Sequence, residues 1–108
     1  MQPNSDRSPR MFESERGFRA IVELECEVRQ GTAPWRRVRL EDISPQGFRL
    51  SWFPNCRRDL PLRIRIPGLA LLTAHVRWQE NFEVGCEFEA SLHYAVFDHL
   101  VRHASQGE

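Results

Sequence analysis

The chain contains no lysine, and all fifteen of its basic side chains are arginines, balanced by fifteen carboxylates to a formal net charge of zero. That balance argues against generic adhesion to nucleic acid or to an anionic membrane surface. Arginine alone supplies the planar fork that matches phosphate oxygens and guanine edges, although a GC-rich genome also favours its codons. There is no CxxC pair: Cys26, Cys56 and Cys86 are odd in number and far apart, which excludes a short-spaced zinc site. No apolar run approaches the length of a bilayer span. The opening MQPNSDRSPRMFESERG carries no apolar signal core. A cytoplasmic chain with reduced thiols and no membrane insertion is therefore expected. Signatures of catalysis are also missing, with no glycine-rich loop before a helix and no GxSxG elbow. His99 and His103 stand four apart but have neither a third ligand nor an HExxH glutamate beside them. The reading is a chain without enzymatic activity, resident metal or cofactor.

What is present is a set of short alternating segments in 108 residues, room for one domain. Residues 1–14 mix Pro, Ser, Asn and Arg without periodicity and read as a flexible tail. The domain is placed at 15–104, and 105–108 as a second tail. Ala20, Val22, Leu24, Cys26 and Val28 alternate with Glu23, Glu25 and Glu27 in a half-buried strand, and the apolar phase puts Cys26 in the core. After the Gln30–Pro34 turn, Val38 and Leu40 set the phase of a second strand, Trp35–Ile43. Ser44-Pro45-Gln46-Gly47 fits a type I turn. Phe48, Leu50 and Trp52 form a third strand, Leu60–Ile66 a fourth, Ala70–Gln79 a fifth and Phe82–Phe88 a sixth. Trp52, Trp78, Phe82 and Cys86 all fall on inward phases. Six such strands indicate a barrel or sandwich. The period then changes: with Ser91 as N-cap, Leu92, Val96, Phe97, Leu100, Val101 and Ala104 make a helical stripe that must bury itself on the barrel.

The segment with most chemistry is Asp42-Ile43-Ser44-Pro45-Gln46-Gly47, an Asp-x-Ser-x-x-Gly corner between strands. A carboxylate there can accept two hydrogens from a guanine edge, a serine hydroxyl can bond phosphate or base, and glycine allows close backbone approach. Asp and Ser before such a turn also commonly bond their own backbone. Around the corner stand Glu15-Arg16-Gly17-Phe18-Arg19 before the first strand, Trp78 in the fifth, Gly85-x-x-Phe88 at the end of the sixth, and the C-terminal helix.

In this order, from about Arg16 to His103, these features resemble the PilZ family. The resemblance implies a mainly β fold, a six-stranded antiparallel β-barrel with a C-terminal α-helix packed against it. It further implies a stand-alone receptor for cyclic di-GMP, relaying the level of that second messenger to a protein partner in motility, biofilm or polysaccharide control. Carried onto this sequence, Arg16 and Arg19 would hold phosphate and guanine, and Asp42, Ser44 and Gly47 would read the other guanine edge. The family's arginine motif is Arg-x-x-x-Arg, whereas here Glu15 occupies the first position and the spacing is Arg-x-x-Arg. Arg7 and Arg10 stand upstream as further cations. The alternative is a degenerate PilZ-like interaction module that works through protein contacts without nucleotide. A small barrel for single-stranded nucleic acid is a third reading, opposed by the neutral charge and inward aromatics. Arg36-Arg37 and Arg57-Arg58 read as solvated strand ends and loops.

Overall fold

The computed structural model describes residues 19–106, with side chains to Ala104. The expectations placed on residues 1–14, on Arg7, Arg10 and Arg16, and on the last two residues lie outside the described residues. Six strands and one helix follow in order: β1 Ala20–Gln30, β2 Arg36–Ile43, β3 Gly47–Leu50, β4 Leu62–Arg65, β5 Leu72–Glu80, β6 Glu83–Phe88 and α1 Tyr94–Gln106. All pairings are antiparallel, and the sheet closes as β1-β2-β3-β6-β5-β4, with β4 returning to β1 through pairs such as Val28 with Ile64. The closing strand β4 is short, pairing with Glu27–Gln30 of β1 and with Leu72–Ala74 of β5.

The inward phase expected for β1, β2 and β4 is the one observed. Val28, Leu40, Ile43, Phe48, Leu50, Leu62, Ile64 and Val84 are fully buried. Phe48 and Phe88 meet at a ring-centroid distance of 5.1 Å. Cys26 and Cys86 are buried free thiols, as their phase requires. Burial pushes the Cys26 thiol up to about 12, helped by Glu25 and Glu27. Burial also raises Cys86.

Three aromatic expectations need correction. β3 ends at Leu50, so Trp52 lies beyond it, 56% exposed. Phe82 is no strand residue but the second member of a two-residue loop with Asn81, both at positive φ (52° and 70°), and it is half exposed. The rings of Trp52 and Phe82 pack against each other in a tilted pair, with centroids 4.7 Å apart and planes at 52°. Trp78 is the third: a bulge in β5 shifts the register between Val76 and Trp78, moving Trp78 off the core face.

The helix start is also displaced from the expected Ser91. Residue His93 fills the N-cap role: its Nδ1 accepts from the Ala95 N–H at 3.0 Å, and its carbonyl accepts from Val96 and Phe97. Phe97 and Leu100 are buried, with Leu92, Val101 and Ala104 packed beside them, while Val96 at the edge of the stripe stays exposed.

Candidate functional site

The Ser44–Gly47 corner is a two-residue hairpin loop in which Ser44 and Gly47 exchange both backbone hydrogen bonds, at 2.8 and 3.3 Å. The Ser44 hydroxyl turns back into the loop. It accepts from the Gln46 and Gly47 N–H groups at 3.1 and 3.2 Å and donates to Gln46 Oε1 at 3.4 Å, with the residue fully buried. Gly47 is required by packing: a Cβ there would stand well inside contact distance of the Cys86 carbonyl oxygen on β6. Two carbonyls of the loop bind the rest of the molecule. Gln46 O accepts from Phe88 N–H at the end of β6, and Pro45 O accepts from Leu92 N–H just before α1, both at 2.8 Å.

Counting outward from this loop pairs Ile43 with Phe48 and Asp42 with Arg49. The β2 alternation Val38, Leu40, Asp42 would instead point Asp42 inward. A register shift between Leu40 and Asp42 resolves the conflict and turns Asp42 to the outer side of the barrel. A single row then crosses five strands: Ile21, Asp42, Arg49, Gly85 and Trp78. Trp78 lies over Gly85, where a Cβ would collide with the indole, so glycine there makes room for the ring. Ile21, at the other end of the row, is 75% exposed.

Asp42 is the floor of this row and is itself fully buried. Its Oδ2 accepts from Arg49 Nε at 2.9 Å and Arg49 Nη2 at 2.8 Å, and Arg19 Nη2 stands 3.6 Å away. Its Oδ1, also buried, has no hydrogen-bond partner among the described residues. The other end of the Arg49 guanidinium reaches Glu83 Oε2 at 3.2 Å. Two arginines, Glu83 and a buried carboxylate with one unsatisfied oxygen thus gather beside an indole. Guanidiniums suit phosphate or a guanine edge, and the carboxylate oxygen suits an N–H donor that can reach it.

Of the residues singled out in the sequence, Arg19 and Asp42 come together. Ser44 and Gly47 sit under them as parts of the loop, and Arg16 falls outside the described residues. Arg49 was missed as a member of the site. The two-residue turn held the signal, because counting back from Pro45-Gln46 pairs Asp42 with Arg49.

A protein-family model described as "PilZ domain" matches residues 10–106. No curated protein matches this chain. Among solved structures, the chain is similar to the PilZ domain of CeSA from a cellulose-synthesizing bacterium, with 16% identity, a TM-score of 0.59, and coverage of 82% of this chain and 95% of that one. It is also similar to the Bacillus subtilis inhibitor of motility MotI/DgrA, with 15% identity, a TM-score of 0.54, and coverage of 82% of this chain and 48% of that one. The chain therefore spans about half the length of the motility inhibitor.

Proposed function

Because this chain belongs to the PilZ domain family, we propose that it is a cyclic di-GMP receptor whose nucleotide sits on the outer row at Asp42 and passes its effect to a protein partner. The observation that carries this reading is the unpartnered, buried Oδ1 of Asp42, held between Arg19 and Arg49. An unsatisfied buried carboxylate oxygen is costly, and a guanine edge offering N–H donors removes that cost. Arg19 would take a phosphate or the O6/N7 edge of a guanine, with Arg16 as the second cation from the segment before it. Ser44 and Gly47 would act by holding the corner's shape. Trp78 offers an indole at the far end of the row.

The route to a partner runs through the loop carbonyls. Pro45 O holds the residue that leads into α1, and Gln46 O holds the end of β6. A ligand that shifts Asp42 therefore acts on the strand end and helix start within one turn of chain. Control of motility or surface polysaccharide is the kind of output proposed, in keeping with neighbours named for a motility inhibitor and a cellulose-synthesizing organism.

The second reading is a protein-interaction module that does not bind nucleotide. It is favoured by the closure of Asp42 itself, whose Oδ2 is already occupied by Arg49 in a residue with no exposed surface. Titration calorimetry of the purified chain with cyclic di-GMP, and with GTP as control, separates the two. Saturable heat with cyclic di-GMP alone, lost in both Asp42→Ala and Arg19→Ala, is the expected result. A folded protein that gives no heat at high micromolar ligand, or binding that survives both substitutions, overturns the receptor reading or its site.

A further inference from the structure

A cavity lies at the opposite end of the barrel from the corner, between the β1–β2 turn and the loop before β4. It measures about 830 Å³, within the range of small-molecule sites. Arg36 begins β2 and Asp42 lies near its end, so the two regions are separated by about 20 Å of strand. Nothing in the reading of the corner uses this end of the molecule.

Its walls are built rather than incidental. Gln30 is a buried amide that spends its side chain on the loop: Nε2 donates to the carbonyls of Arg57 and Leu60 at 2.7 and 3.0 Å, and Oε1 accepts from Arg57 N–H at 2.9 Å. That clamp fixes one side of the cavity against the end of β1. Trp35 and Leu60 supply apolar surface, with the Arg65 guanidinium over the Trp35 ring at 3.8 Å and the buried Phe53 backing the wall from the core. Three arginines, Arg29, Arg36 and Arg57, share the lining, and no carboxylate does. Arg57 is neutralised by Asp59 through two hydrogen bonds of 3.1 and 2.9 Å. Arg29 and Arg36 have no carboxylate partner among the described residues. Each spends one N–H on a backbone carbonyl, of Gly31 and Pro54 respectively, both at 3.3 Å. A guanidinium has five N–H donors, so most of each fork remains available. The Arg36 guanidinium lies 5.5 Å from the Phe53 ring centroid, which places charge and aromatic surface side by side.

We propose that this cavity is a second binding site, for a small organic anion with a flat apolar body and a phosphate or carboxylate head. Trp35 and Leu60 receive the body, and Arg29 or Arg36 the head. A lining with two guanidiniums that have no carboxylate partner, and with no carboxylate of its own, favours an anion there. Apolar walls alone would take a neutral ligand, and arginines alone would take any anion; the combination selects for both parts in one molecule.

The test is a proton–nitrogen NMR titration of the full chain with 1-naphthyl phosphate, in parallel with 1-naphthol and inorganic phosphate. Saturable shifts at Gln30, Gly31, Arg57 and one indole N–H are expected, with Asp42 and Arg49 unmoved. The two half-probes should bind at least tenfold more weakly. The double variant Arg29→Gln/Arg36→Gln, whose positions are surface-accessible, should weaken the full probe tenfold or more at an unchanged thermal midpoint. Equal binding of naphthol would make the cavity a plain apolar hole, and equal binding of inorganic phosphate a plain cationic patch. Either result, shifts centred on Asp42, or full affinity in the double variant overturns the proposal.

Discussion

Arg49 closes on Asp42 through two donors to a single oxygen, Nε at 2.9 Å and Nη2 at 2.8 Å from Oδ2. The carboxylate is fully buried while the guanidinium keeps 23% of its surface in water. The two partners are therefore not equivalent on removal. Arg49→Ala leaves a buried charge with only the longer Arg19 contact, and is expected to cost about 3 kcal/mol in urea unfolding. Arg49 can follow water outward when its partner is lost, so Asp42→Asn should cost about 1 kcal/mol. Equal losses in the two variants would mean that the pair is not the asymmetric clamp its burial indicates.

Gly47 and Gly68 make a contrasting pair for a single substitution. At Gly47 an added methyl meets β6 backbone, the Cys86 carbonyl, which has no rotamer to yield. Gly68 has φ +89° but nothing within 4 Å of the added atom. Gly47→Ala is expected to lower stability by more than about 3 kcal/mol or to prevent folding, through overpacking. Gly68→Ala should cost about 1 kcal/mol from backbone strain alone. Thermal unfolding of both variants gives the comparison. A Gly47→Ala protein as stable as Gly68→Ala would show that the corner can move away from β6.

The strands and their inward faces were legible because alternation is a local property: Val38 and Leu40, or Leu62 and Ile64, carry their phase in their spacing. What alternation cannot carry is a break in itself. Bulges near the end of β2 and in the middle of β5 turn Asp42 and Trp78 to the outer face, against the phase of Leu40 and Val76. The type I turn at Pro45-Gln46 contained the correction for Asp42, since hairpin counting and strand phase disagree there. No comparable signal marked Trp78, whose place is set by Gly85 on the neighbouring strand. Ser91, the better N-cap by residue type, predicts a helix start two residues earlier than the observed cap at His93. The Leu92 N–H is taken by Pro45 O instead, and His93 caps the first turn. The family resemblance supplied the candidate ligand, while the Arg19 contact and the complete burial of Asp42 needed the three-dimensional packing.

Alkaline pH should unfold this chain through its buried thiols. Burial, with Glu25 and Glu27, pushes Cys26 up to about 12, and burial raises Cys86 as well. An unfolded thiol ionises near 8.5. Below that pH both states hold the proton and stability is independent of it. Above it the unfolded state loses protons that the folded state keeps, so stability falls as pH rises from about 9 toward 12. The chain has no lysine, so no ammonium titration overlaps this window. Urea midpoints measured between pH 7 and 11 should be flat to about 8.5 and then decline. Cys26→Ala should soften the decline, although its lost packing lowers the midpoint at every pH. An unchanged slope in that variant would remove Cys26 as the cause.

Phe82 holds a φ of +70° after Asn81 at +52°, the backbone of a type I′ hairpin turn in which glycine is the favoured second residue. A side chain in that region costs about 1–2 kcal/mol. Against the strain stands the ring contact with Trp52 at 4.7 Å, and such pairs contribute about 0.5–1.5 kcal/mol. Both rings are half exposed or more, so the pair should fall at the low end of that range. The Phe53 N–H to Phe82 O bond of 2.8 Å uses backbone only and survives any side chain at position 82. Phe82→Gly should therefore raise the thermal midpoint slightly, by the equivalent of about 0.5 kcal/mol. Phe82→Ala keeps most of the strain and loses the ring, so it should lower the midpoint. If glycine and alanine destabilise alike, the aromatic contact rather than the turn geometry governs stability at this hairpin.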